Sequence, residues 1–377
     1  MSRRVGMKVR MKARMRMRVR IKLAITCGVL IMAGALALAE DLRIREVRIG
    51  VLGLFHPRQF TVSAVDGGAI VVHAGQETFV LEKSSGIHVA EVHALGSMMV
   101  VQAGTRVVHT PDLTFTGRAS GPADFLLAVP GKITRHYRGT LKLKPASDVL
   151  VAVVSMDLES AVASVVAAES FSGAPLEALK AQAVAARSYL AARKGRHSEF
   201  DFCDTTHCQF LRDPPGPGSA AEAASATRGL VLIYQSQPIA AMYTRSCNGR
   251  TRTPAELGLP PGSYPYYTVD CKYCREHPSR WQNRISAQDA ATLHSSDELA
   301  RLRLDRRLGW STAPSNSFAA RREGDQVILE GTGAGHGIGL CQSGAQAMAE
   351  EGANFRQILR HYYPNAIISL DHPANTR

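Results

Sequence analysis

The sequence predicts an α+β protein, a β-rich N-terminal region followed by a mixed helix and strand domain with a cleft. Three observations carry this expectation. Residues 42 to 150 contain short β-branched runs broken by Gly, Asp and Ser turns. Asp157 to Cys208 contains two helical patterns that meet at a turn. Beyond Leu230 come short strands, a glycine-dense stretch and a final helix.

The chain opens with ten Lys or Arg and no acid in residues 1–22, basic and apolar residues alternating from Lys8 to Lys22. An apolar run, Leu23–Ala39, closes on Ala37-Leu38-Ala39 before Glu40. That is the plan of a secretory signal peptide, although seventeen apolar residues also approach the length of a membrane anchor. Residues 1–39 are read as signal peptide or anchor. The remainder is expected outside the cytoplasm (secreted, periplasmic or anchored facing outward), meeting membrane only through that segment. The formal net charge is +13, of which the first 22 residues supply +10. The basic balance is thus mostly an export feature. No basic patch interleaved with aromatics remains to support nucleic-acid binding.

Residues 40–140 form the β-rich region. Its runs start at Val47, Thr61, Ala69, Thr78, Met98 and Arg106, with Asp66-Gly-Gly a plausible tight turn. His73, His88, His93 and His109 share no ligand spacing and read as solvent-facing strand positions. After a further run at Thr140, Val149–Val154 leads into Ser155-Met-Asp157, a helix cap.

In the helix that follows, Leu158, Val162, Val165 and Glu169 fall on one stripe. A carboxylate ending an apolar stripe either turns to water or is buried with its pKa raised, as a general acid requires. Ser170–Pro175 is a turn, and Leu176, Leu179, Ala183, Ala186 and Leu190 give a second helix its apolar face, ended by Gly195. His197, Cys203, His207 and Cys208 then fall within a dozen residues. These four suit a tetrahedral zinc ion, whereas a Cys203–Cys208 disulfide with His197 solvated is the competing reading.

Ser219-Ala-Ala-Glu222 reads as a capping box, and Leu230–Tyr234 with Pro238–Thr244 as a strand pair across Gln235-Ser-Gln. Residues 284 to 325 read as a peripheral module. Gly331–Ala345 matches neither the dinucleotide G-x-G-x-x-G pattern nor a P-loop. Asn354-Phe-Arg-Gln357 caps the final helix, with Phe355, Leu359 and Tyr362 inward. Of the remaining cysteines, a bridge from Cys247 to Cys271 or Cys274 is expected, leaving Cys341 free.

Three segments together resemble the stage II sporulation protein D (SpoIID/LytB) domain family. They are Ala168–Tyr189 with Asp201–Gln209, the segment Thr227–Thr251, and Gly331–Ala345. The resemblance covers roughly residues 140 to 366. It implies a catalytic domain over 141–366, with 367–377 as a C-terminal tail. In that family the helix-end Glu is the acid of a peptidoglycan lytic transglycosylase, which here is Glu169. Gln182 and Arg187 match polar positions of the second helix, where either can also serve to tie that helix to its neighbours. Ser246 lies in the matching Ser-Cys-Asn-Gly turn, and His336 and Gln342 match the glycine-rich signature. These five are the expected substrate-binding residues. Ser170-Phe171 departs from the family's usual Met-Pro, and Ser343 stands where an aromatic is common. Some members hold a zinc near the acid, which tips His197, Cys203, His207 and Cys208 toward a structural Zn2+.

The expected reaction is cleavage of MurNAc–GlcNAc bonds in peptidoglycan glycan strands to 1,6-anhydro-MurNAc ends. It needs one carboxyl group, whereas a hydrolase would place a second some ~5 to 9.5 Å away. Glu177, in the first turn of its helix, is explained by the helix dipole alone. The alternative implied by the family is a non-catalytic wall-binding protein that enhances a separate amidase.

Overall fold

The computed structural model describes residues 46–370 apart from positions 194, 196 and 215. The expected signal peptide or anchor lies outside the described residues. Among those described, no helix is long and apolar enough to cross a membrane.

The described residues form one compact unit. A twelve-stranded, largely antiparallel sheet occupies its N-terminal part, and every strand expected from a β-branched run up to Val149 is present. The 14-residue strand Ile133–Ala146 organises it. Its first half pairs with Ala123–Val129, and its second half pairs with both Leu113–Thr116 and Val149–Asp157. One long strand passing between two pairings curls the sheet into a nearly closed barrel, which brings alternate residues to a common interior. Phe60, Val62, Ile70, Leu81, Phe115, Phe125, Leu127 and Leu141 fill that interior. The sequence boundary at 140 therefore falls inside a continuous strand. Val149–Asp157 also pairs with Glu46–Val51, so the first described strand lies directly beside the segment that feeds the helices.

Helix α1 (Leu158–Glu169) starts where Asp157 Oδ1 accepts from Ser160 N at 2.9 Å, the expected cap. It stops at Ser170, whose backbone turns extended. Helix α2 (Leu176–Ala192) was expected to bury one face, yet Ala178 to Leu190 is buried almost throughout. Leu179, Ala183, Ala186 and Leu190 join the barrel-side core, while Ala181, Val184 and Ala185 join a second core with Ile338, Leu340, Ile358 and Tyr363. Alanine makes this possible, because small side chains let backbone approach on both sides.

Helix α3 (Ser219–Ala226) is present, but Gly218 occupies its cap position without a side-chain bond, so the expected capping box is not formed. The strand pair after it is shorter than expected. Leu230–Tyr234 pairs with Gln237–Pro238 and, on its other edge, with Ile367–Leu370. The start of the expected tail is thus a strand. Tyr243–Thr244 leaves the hairpin and pairs in parallel with Leu340–Cys341 of the glycine-rich stretch. Short helix α4 (Lys272–Glu276) follows, then a satellite module with its own small core of Ile285, Leu293, Leu304, Ala313, Val327 and Leu329. That module comprises the strands Arg280–Ser286, Phe318–Glu323 and Gln326–Thr332 with helices α5 (Ala287–Ala290) and α6 (Glu298–Leu308). Helices α7 (Gln342–Glu350) and α8 (Phe355–Tyr362) precede the strand Ile367–Leu370, and α8 carries the expected Asn354/Gln357 capping box.

Candidate active site

Glu169, the last residue of α1, points its carboxyl group inward. Oε1 accepts from Phe210 N at 2.6 Å, and Oε2 accepts from the Tyr243 hydroxyl. Burial raises its pKa above the ordinary glutamate value, and the two hydrogen bonds only partly oppose that rise. Burial wins because removing a carboxylate from water costs more than two donors return. Among the described residues no second carboxylate contributes to the shift. Two other acids of this region are engaged elsewhere: Glu177 accepts from Lys180 and Phe355 N, while Asp204 accepts from Leu52 N at 3.0 Å.

Both donors depend on long-range structure. Phe210 follows Cys208 in a loop whose Phe202–Cys203 pairs in parallel with Ile49–Gly50. Asp201 and Asp204 fix that loop by accepting from Arg48 N and Leu52 N, each at 3.0 Å. Tyr243 is delivered by its pairing with Leu340. Gly339 permits this, since its φ is +73° and any Cβ there would collide with the Met242 carbonyl. Tyr243 is half-buried, and desolvation of its hydroxyl beside Glu169 pushes its own pKa well above 10, so it remains a neutral donor. The sequence reading missed Tyr243, because nothing local distinguishes it from any strand tyrosine.

A groove beside the acid is lined by Ser170, Phe171, Gln182, Leu340, Gln342 and Gln346. Gln342 and Gln182, both expected to bind substrate, meet there. Gln342 Nε2 donates to the Glu169 carbonyl at 3.0 Å, which fixes the end of α1. Both amide atoms of Gln182 and the Ser170 hydroxyl are buried without a partner among the described residues. Unpaired groups of this kind are costly unless a ligand meets them. The Arg245 guanidinium stacks on the Phe171 ring at 4.0 Å.

The other expected substrate contacts lie elsewhere. Arg187 is fully buried and gives Glu159 a two-pronged bond, Nε at 3.0 Å and Nη2 at 2.5 Å. It also donates to the Leu230 and Ala224 carbonyls at 3.1 Å, tying α1, α2, α3 and a strand together. Ser246 is buried with its hydroxyl 3.4 Å from Cys274 Sγ. His336 Nδ1 accepts from Ile338 N at 3.0 Å, and burial pulls the ring's pKa down to about 4, so it is neutral. It bonds its own loop and the Tyr243 backbone, and it does not line the groove.

His197, Cys203, His207 and Cys208 converge, their ligand atoms all within 4.8 Å of one another. His197 Nε2 and Cys203 Sγ each lie 3.3 Å from Cys208 Sγ, and His207 Nδ1 is 3.6 Å from Cys203 Sγ. Two nitrogens and two sulfurs at these separations fit the edges of a tetrahedron about a zinc ion. The Cys203 thiol is drawn down to about 4, chiefly by its bond with Cys208.

These features define a mixed α+β domain built around one half-buried, raised-pKa carboxyl group at a helix end. Residues 146–234 match the SpoIID family model, described as a stage II sporulation protein. An uncharacterised protein of Brachyspira hyodysenteriae is 27% identical over 272 residues, 63% of this chain and 73% of the relative. Stage II sporulation protein D of Bacillus amyloliquefaciens is 27% identical over 297 residues, covering 63% and 82%. An amidase enhancer of Bacillus subtilis is 24% identical over 274 residues, covering 52% of this chain and 38% of the relative.

Proposed function

We propose that the protein is an extracytoplasmic peptidoglycan lytic transglycosylase with Glu169 as its single general acid and base. The observation that supports this most directly is the half-buried Glu169 carboxyl, whose pKa burial raises with no contribution from a second carboxylate among the described residues. A raised pKa keeps the proton on Glu169 for donation to the oxygen bridging MurNAc and GlcNAc. The resulting carboxylate then takes the proton of the muramic C6 hydroxyl, whose oxygen closes the 1,6-anhydro ring. Gln182 and the Ser170 hydroxyl supply unpaired polar groups for the glycan, and Gln342 holds the acid's backbone. His197, Cys203, His207 and Cys208 would hold a structural Zn2+, whose four protein ligands leave no open position for chemistry. Its role would be to hold the loop that carries the Phe210 N–H to Glu169.

Mass analysis of products from denuded glycan strands tests this reading. The wild type should give 1,6-anhydro-MurNAc ends, lighter by one water than hydrolysis products, and Glu169→Gln should give none. Ends that borohydride can reduce would mean attack by water and would refute the mechanism. The similarity to an amidase enhancer motivates a second reading, a wall-binding protein that stimulates an amidase. If wild type and Glu169→Gln both leave glycan intact and both stimulate an amidase, that reading stands instead.

A further inference from the structure

We propose that Cys247, Cys271, Cys274 and Cys341 form a second metal site, a four-thiolate zinc centre separate from the His197–Cys208 cluster. The expected Cys247 bridge with a free Cys341 is not what the fold presents. All four cysteines are unbonded and buried, and their sulfurs lie within 4.8 Å of one another. Cys274 Sγ is 3.4 Å from Cys341 Sγ, so the cysteine expected to be left over is fully part of the group. A zinc ion with four Zn–S bonds of ~2.3 Å sets its sulfurs roughly 3.8 Å apart. The sulfurs here, one pair at 3.4 Å and all within 4.8 Å, bracket that figure, whereas a disulfide draws two together at ~2.05 Å. The all-sulfur donor set disfavours Mg2+ and Ca2+, which take oxygen.

The surroundings are those of a built site. Cys271-x2-Cys274 opens α4, and Cys271 N donates to the Gly249 carbonyl at 2.9 Å, closing the Cys247 turn onto the helix start. The Ser246 and Tyr362 hydroxyls lie 3.4 and 3.5 Å from Cys274 Sγ and Cys271 Sγ, where they can donate to thiolates. Helix α7 closes over the group because residue 344 is glycine. A Cβ there would stand 2.5 Å from Cys271 Sγ and collide with the Tyr362 hydroxyl.

The position gives the ion a task, and this part rests on Glu169 being the acid. Cys341 immediately precedes Gln342, which holds the Glu169 carbonyl, and its strand delivers Tyr243 to the Glu169 carboxyl. Phe210, the other donor, follows Cys208 of the first cluster. Each of the two hydrogen bonds on the acid is thus anchored by its own metal-binding group.

Elemental analysis of the full chain, purified without chelator, should find about two zinc ions per chain. Cys274→Ser and Cys203→Ser should each retain about one, and Glu169→Gln about two. Because Cys274→Ser can fail to fold, the wild type carries an independent arm. Stepwise mercurial titration of its thiols should release zinc in two stages, and cobalt(II) substitution should show a four-thiolate ligand-field spectrum beside a mixed nitrogen and sulfur one. A wild-type content of about one zinc that Cys203→Ser abolishes would overturn the proposal. So would iron at the site, or disulfides among these four cysteines in non-reducing peptide maps. None of these readouts involves glycan cleavage, so they stand or fall apart from the transglycosylase reading.

Discussion

Tyr243→Phe tests how the acid is tuned. The Glu169 carboxyl has two donors, the Tyr243 hydroxyl and Phe210 N, and burial acts against both. Tyr243→Phe keeps the ring and its packing while removing the stronger of the two bonds to the ionised form. A hydrogen bond to a charged group contributes about 1.5–3 kcal/mol, and a pKa unit corresponds to about 1.4 kcal/mol. The variant should therefore raise the Glu169 titration further, by about one to two units. Carboxyl-carbon NMR of glutamate-labelled protein reads this directly, with Glu169→Gln identifying the signal. In cleavage assays, activity that needs the protonated acid should persist to correspondingly higher pH. A Glu169 titration that stays in place or moves down would show that the hydroxyl does not stabilise the carboxylate, and the account of this site would fail.

Glu169→Gln should also change stability with pH. Folding raises this carboxyl's pKa, so the wild type loses stability as pH rises from the ordinary glutamate value through the folded value, about 1.4 kcal/mol per unit of elevation. Thermal melts should show Glu169→Gln gaining on the wild type across that window and not below it. A constant difference would count against the burial argument. Arg187→Met should destabilise by about 3–5 kcal/mol, because Glu159 is left in the interior without its partner. The pair Arg187→Met with Glu159→Gln should recover much of that loss in denaturant melts. Gly339→Ala should be destabilised and should lose the Tyr243 effect on Glu169, since the Met242 backbone cannot yield to a Cβ.

Several features were legible because they rest on local pattern. The β-branched runs, the Asp157 and Asn354 caps, and the stripe ending at Glu169 all follow from periodicity and capping chemistry within a few residues. The His197–Cys208 group was legible for the same reason, its four ligand types falling within one short loop. The Ser219 capping box failed because a side-chain cap depends on backbone geometry that Gly218 sets instead.

What depended on distance in the chain was decided by the tertiary structure alone. Arg187 matches a polar family position, yet its guanidinium is enclosed by Glu159, Ala224 and Leu230, so packing assigns it to the core. Tyr243 could not be chosen from its neighbours, because its partner lies 74 positions away. Cys341 looked unpaired because its three sulfur neighbours come from two other segments. The sequence determined which groups were available and which elements would form, since propensity, capping and hydrophobic periodicity act over a turn or two. The fold decided which groups meet and which are shut away from water, because parallel pairing, burial and the pKa of Glu169 exist only once distant segments have packed.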